Sequence, residues 1–344
     1  MTSTVPVSGV PPAQGAFSFD IGTFDWAGIY YLADRTNKGI DMVDGATDRF
    51  LGTIPGFVGA HVVKGTVSND TSGPNGVLIA NDRSEAWAGD GDSTVKVVDL
   101  KSRRIVDTIS TGGTARADEM AYDPVDGVVV VANDADSPPF LTFISVPRRT
   151  VLGKIPYPSA TNGLEQPVWD RANDMFYQAV PQTTQNTGGQ IDQIDPKTMK
   201  VTNSFPVSDC VPHGLTLGPS QHLLLGCSGD AMNLLNAHAQ SQVMDAATGK
   251  IVATITQVGG SDEAWYSPGD NRYYLAASSM TSDGTKAGTS NPVLGIIDAA
   301  TNSWVQNVAI NSKGAHPHSV AADPMNNHAF DPYSAGIGVF GPAT

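Results

Sequence analysis

Charged residues are scarce. They make up 16% of 344 residues, and bases are outnumbered, with 20 Lys and Arg against 34 Asp and Glu and a net charge of −14. Such a surface repels a nucleic-acid backbone and an anionic bilayer, which argues against both as partners. No apolar run approaches the roughly 18 residues needed to span a membrane. Cysteine is limited to Cys210 and Cys227, with no C-x-x-C, so structural zinc and thioredoxin-type redox chemistry lack support. Also missing are Gly-x-Ser-x-Gly, a Walker loop and a dinucleotide fingerprint. Serine-hydrolase, NTPase and Rossmann readings fall with them, and no nucleotide cofactor is expected. Met1 to Gln14 has neither a basic n-region nor an apolar h-region. As it stands the sequence reads as cytoplasmic, or as secreted or periplasmic if a leader has been removed.

What is present is a repeat. Hydrophobic residues reach 40%, enough for a sizeable core, and 36 glycines and 23 prolines punctuate apolar runs. One segment recurs: an apolar strand ending in Asp, a turn bearing Thr or Lys, then a second alternating strand. Clear copies are Ile40–Thr47, Val95–Lys101, Ile191–Thr198, Gln242–Gly249 and Gly295–Thr301. Leu141–Pro147 is a weaker copy, and the truncated Gly336–Phe340 ends the series. Each follows an apolar strand, itself preceded by a short strand ending in Asp, Pro or Gly. The unit is therefore a four-stranded antiparallel meander of roughly 49 residues.

Seven such units predict an all-β, seven-bladed β-propeller in one domain, because radial closure hides strand edges. Blades are expected at about 17–59, 60–113, 114–159, 160–209, 210–260, 261–314 and 315–344. The last lacks its outer strand, so an N-terminal strand at about 4–8 is expected to close it. A monomer is expected.

The units resemble the YVTN-type repeats of bacterial seven-bladed propellers. Pro212–Leu215, the Asp-Pro corner at 123–131, His318–Pro324 and the Asp-Ala-Ala-Thr turns carry the likeness, over about residues 17–340. The terminal Tyr-Val-Thr-Asn is degraded to Val-Ala-Asn at 131–133 and Leu-Ala-Asp at 32–34. The resemblance implies the propeller fold. It also implies a range of functions, including lactonase-like enzymes, lyases and binding proteins.

In a propeller the first strand of each blade lines the axis, and the residues that lead into it converge at one mouth. Aligning the blades on the turn after that strand brings together Asp20, His61, Asp118 and Glu119, Glu165 and Gln166, His213, Asp262 and Glu263, and His318. Crowded carboxylates repel, and a divalent cation removes that cost. Imidazole with carboxylate suits Zn, Fe, Mn, Ni or Cu better than Ca. His61, His213 and His318 are the candidate metal ligands, with His316 as the alternative to His318. Glu119 and Glu263 are the candidate catalytic residues, serving as general base or as acceptors for imidazole N–H. Asp20, Asp118, Glu165, Gln166, Asp262 and Trp265 are the candidate substrate contacts. The plainer reading is that the histidines bond neighbouring loops and the acids merely wet a channel. The expected function is a metal-dependent enzyme acting on a small organic substrate, hydrolytic and ring-opening (lactonase-like) or eliminating (lyase-like). The alternative is a non-catalytic ligand- or protein-binding propeller.

Cys210 and Cys227 fall on adjacent strands and are either a cross-strand disulfide or two buried thiols. Ala88–Thr94 resembles part of a calcium loop but lacks its later acid and reads as a turn. The long polar loops at 182–189 and 280–291 are candidates for a rim over the mouth.

Overall fold

The computed structural model describes residues 3–6, 17–310 and 316–341. Seven four-stranded antiparallel sheets make up the chain, each ordered from an inner first strand to an outer fourth. The first strands run Phe19–Phe24, Val77–Ala80, Met120–Asp123, Pro167–Asp170, Pro212–Leu217, Ala264–Ser267 and Ala321–Ala322 for blades 1 to 7. Each touches the next in turn, and the seventh touches the first. The ring is closed as expected by an N-terminal strand. It is Ser3–Val5, antiparallel to Gly336–Phe340. The expected span at 4–8 extends past it, and residues 7 and 8 lie outside the described residues.

The core is not central. It is divided into seven clusters, one between each pair of neighbouring blades. Blade 3 shows why its second strand, Val128–Asn133, reads as a continuous apolar run. Val128, Val130 and Ala132 pack toward blade 4, and Val129 and Val131 toward blade 2. With both faces buried, alternation disappears from the sequence of inner strands. It survives in outer strands such as Arg104–Ser110, where every second residue is exposed.

The recurring Asp-x-x-Thr turns have a local job. Asp44, Asp245 and Asp298 each accept from the backbone N–H of the Thr three residues on, at 3.0, 2.8 and 2.9 Å. This fixes the turn between third and fourth strands. A register shift follows in blades 1 to 6, as a bulge that adds twist to the outer strand. The chain's one α-helix among the described residues, Gly229–Leu235, interrupts blade 5 between its second and third strands.

Candidate functional site

The backbone sets which side chains share a level on the axis. Asn75, Asp118, Glu165 and Asp262 each donate N–H to the second strand of their own blade, at Gly89, Ala132, Ala179 and Ala276. The next residue in each, Gly76, Glu119, Gln166 and Glu263, accepts from the same partner. Strand register puts Asp20, His213 and His318 in the same positions. One row is therefore Asp20, Asn75, Asp118, Glu165, His213, Asp262 and His318. The row below is Ile21, Gly76, Glu119, Gln166, Gly214, Glu263 and Ser319. At this lower row the blades press close: a Cβ on Gly76 would lie 2.4 Å from the Asp118 carbonyl oxygen.

His61 is not in the ring. It precedes a small hairpin, Val62–Val63 and Thr66–Val67, in an insertion between blades 1 and 2. It is exposed there, and its Nδ1 lies 2.7 Å from Thr71 Oγ1. Asn75 holds the position assigned to it. The insertion displaces the histidine, which the spacing of the other blades cannot reveal.

The ring has two chemically different halves. Across blades 1 to 3, carboxylates meet arginine. Asp20 is paired with Arg35, whose guanidinium also bonds Asn75 Oδ1 at 2.7 Å. Arg116 binds Asp118 at 2.6 Å and Asp134 at 2.8 Å, and lies 3.8 Å from Asp20. Burial works to raise the Asp20 pKa, but the Arg35 charge and the His318 hydrogen bond outweigh it and hold the carboxyl at about 2.

Across blades 4 to 7, carboxylates meet histidine. His213 Nδ1 lies 2.8 Å from Asp262 Oδ1 and 3.6 Å from Glu165 Oε1. Burial opposes a charge on this ring, yet Glu165 and the Asp262 hydrogen bond raise it to about 9. His318 bridges the halves, with Nε2 2.7 Å from Asp20 and Nδ1 2.8 Å from Asp262. Both its nitrogens are thus occupied. His316, the alternative, is exposed at the rim of the same cavity. Glu165, His213 and Asp262 offer ligand atoms all within 4.8 Å of one another. His213 Nδ1 donates to Asp262, while Nε2 on the far side of the ring is buried without a hydrogen-bond partner.

These side chains surround a mouth of about 710 Å³, overhung by Gly65, Thr66 and Val67 of the insertion. A niche of about 200 Å³ adjoins it behind His213 and Asp262, walled by Ser228, Asp230 and Ser279.

Below the mouth lies a waist. Glu119 and Glu263 are 7% and 3% exposed and share a hydrogen bond. Burial, reinforced by the Glu263 charge, pushes Glu119 well above the usual carboxylate range. Burial also lifts Glu263, to about 7, against the hydrogen bond from Glu119. Gln166 spans the waist, its Oε1 accepting from Leu215 N at 2.6 Å and its Nε2 donating to Ala264 O at 3.3 Å. Its amide braces three blades. Trp265 lines the channel below the waist, away from the mouth.

Sequence reasoning missed Asn75, Arg35 and Arg116. Arg116, two residues before Asp118, was the visible signal: a base beside an acid where bases are few. Cys210 and Cys227 are joined, with Cα atoms 4.4 Å apart, and tie the strand carrying His213 to its neighbour. The loop at 280–291 folds on itself through Ser282 and Thr289.

No family model matches the chain, and no curated protein matches it. Among solved structures, hydrazine synthase from Kuenenia stuttgartiensis superposes with a TM-score of 0.73 at 13% identity, covering 98% of this chain and 99% of that one. A chain of a mitotic checkpoint complex gives 0.71 at 12%, covering 100% and 92%. Identities this low carry the propeller fold alone. The likeness to YVTN-type repeats stays one of repeat pattern.

Proposed function

We propose that the axial mouth is the site of a metal-dependent enzyme acting on a small organic molecule. The observation that carries this is the convergence of Glu165, His213 and Asp262 from three successive blades, with ligand atoms within 4.8 Å of one another. One imidazole and two carboxylates form a donor set suited to Zn, Fe, Mn, Ni or Cu. A divalent ion there would supply Lewis-acid polarisation and a more acidic bound water. His318, held by Asp20 and Asp262, orients the Asp262 carboxylate rather than acting as a ligand itself. Asp118 and Asp20, fixed by arginine, shape the opposite wall. The Glu119–Glu263 pair, sharing one proton at the floor, is the proton donor or acceptor. This chemistry fits hydrolysis, including ring opening, or β-elimination.

The mouth accommodates a small molecule rather than a polymer strand, and nothing in the reading requires a second copy of the chain. The Cys210–Cys227 disulfide favours the secreted or periplasmic alternative, since such bonds persist in oxidising compartments.

The second reading, a non-catalytic binding propeller, draws on His318. Its two nitrogens are already bonded to carboxylates, so the mouth neutralises part of its own charge. The propeller in a checkpoint complex is consistent with a protein-binding role. The readings separate in one experiment. Purified protein is assayed against a panel of lactones and small esters before chelation, after it, and after metal is restored. Activity that is lost and then recovered supports the enzyme. Activity untouched by chelation refutes the metal, and a panel with no turnover on metal-loaded protein favours the binding role.

A further inference from the structure

The axis holds a second cavity, on the other side of the waist. There the channel widens into a chamber of about 410 Å³. Its walls are the lower parts of the first strands, with Ile21, Leu78, Met120, Val168 and Trp265 presenting half-buried surface to it. It opens on the face that carries the turns between first and second strands, beside Pro268 and Pro324. Trp26, 74% exposed, stands at that rim.

Charged groups are confined to the inner end, where Glu119 and Glu263 form the ceiling. Both are more than nine-tenths buried, and they share a hydrogen bond, so the pair holds a proton at the head of the chamber. The Gln166 amide beside them is already bonded to backbone. Apolar walls with a few polar groups at one end are the ordinary design of a small-molecule pocket. The volume exceeds the ~150 Å³ of an apolar cavity that takes up benzene.

We propose that this chamber is a second small-molecule site, for a neutral amphiphile. An aromatic or short alkyl body lies along the walls, and a hydroxyl or amide head meets Glu119. Such a head both donates and accepts, so it pairs with the Glu119–Glu263 pair whichever carboxyl holds the proton. An anionic head would face two carboxyl groups. A cationic one would lose its hydration among apolar side chains. The exposed indole of Trp26 provides an apolar lip at the opening. This site uses the other end of the channel from the proposed metal cluster and does not depend on it.

The test uses 2-naphthol as the probe, titrated calorimetrically into the full chain with and without prior chelation. One equivalent is expected to bind, with affinity within twofold in the two samples. Val168→Phe and Met120→Phe, which fill the chamber, should each weaken binding at least tenfold while the thermal midpoint stays within a few degrees. Trp26→Ala, at an exposed position that places no load on folding, should weaken it severalfold. The proposal is overturned by an absence of saturable binding to the wild-type chain. It is equally overturned if binding is unchanged in a folded filling variant and in Trp26→Ala, or if chelation abolishes it, which would put the probe in the upper mouth.

Discussion

The arginine half and the histidine half of the axial ring carry a similar density of acid and neutralise it by different means. Asp20, Asp118 and Asp134 are held by Arg35 and Arg116, cations that do not give up their charge near neutrality. Glu165 and Asp262 are held by His213, whose positive charge is a proton that a metal ion can replace. A fixed cation builds a wall, whereas a cation that is only a bound proton can give way to a ligand. The same contrast recurs within the blades. Blade 2 buries Asp90 against Lys96, while at the matching level blade 1 buries Asp34 against Asp41, a second acid.

Breaking the arginine half should have the largest effect, and it should fall on stability. Arg116→Ala leaves the buried Asp118 and the half-buried Asp134 without their cation, which costs about 3–5 kcal/mol. Denaturant unfolding reads that loss. Breaking the histidine half should cost less stability, because its side chains are more open to water, and should abolish function. His213→Ala and Asp262→Asn are each expected to lower metal content to background and turnover at least a hundredfold, with a smaller fall in thermal midpoint than Arg116→Ala. Equal destabilisation by the Arg116 and His213 changes would erase the distinction.

A smaller effect tests the acid pair of blade 1. Burial and the Asp34 charge raise Asp41 to about 9. Below about pH 4 the unfolded chain is protonated too, and the pair costs nothing. As pH rises toward about 9, the folded state holds a proton that the unfolded chain has released, so stability falls across that window. Asp41→Asn donates to Asp34 with no proton to lose. Its thermal midpoint should match that of the wild-type chain at pH 4 and exceed it by several degrees at pH 9. A constant gap would show that the pair does not titrate in this way. The smallest effect is expected at His61, exposed and outside the ring, where replacement by Ala should leave metal content and turnover within twofold.

The blades were legible because their turns are written in side chains. Asp298 and Thr301 fix a hairpin by bonds that any such sequence would make. Most of the ring was legible for a related reason: counted back from the turn that ends each first strand, the ring residues recur at blade spacing, and Asp118 and Asp262 sit in near-identical contexts. The exception is His61. There the insertion between blades 1 and 2 breaks the spacing, and Asn75, a residue with no chemical flag, takes the place. Arg35 and Arg116 escaped because their meaning depends on which carboxylates they reach across blades. The same limit hid the engagement of Gln166 and His318, whose side chains were visible as candidates while their partners were not.

The central claim is that Glu165, His213 and Asp262 together hold one divalent ion. Elemental analysis of chelated protein re-equilibrated with Zn or Mn and then dialysed, run beside His213→Ala, Asp262→Asn and His61→Ala, tests it most directly. The account predicts one ion per chain in the wild type and in His61→Ala, and background metal in the other two. Wild-type protein without stoichiometric metal, or full occupancy retained in His213→Ala, would contradict it.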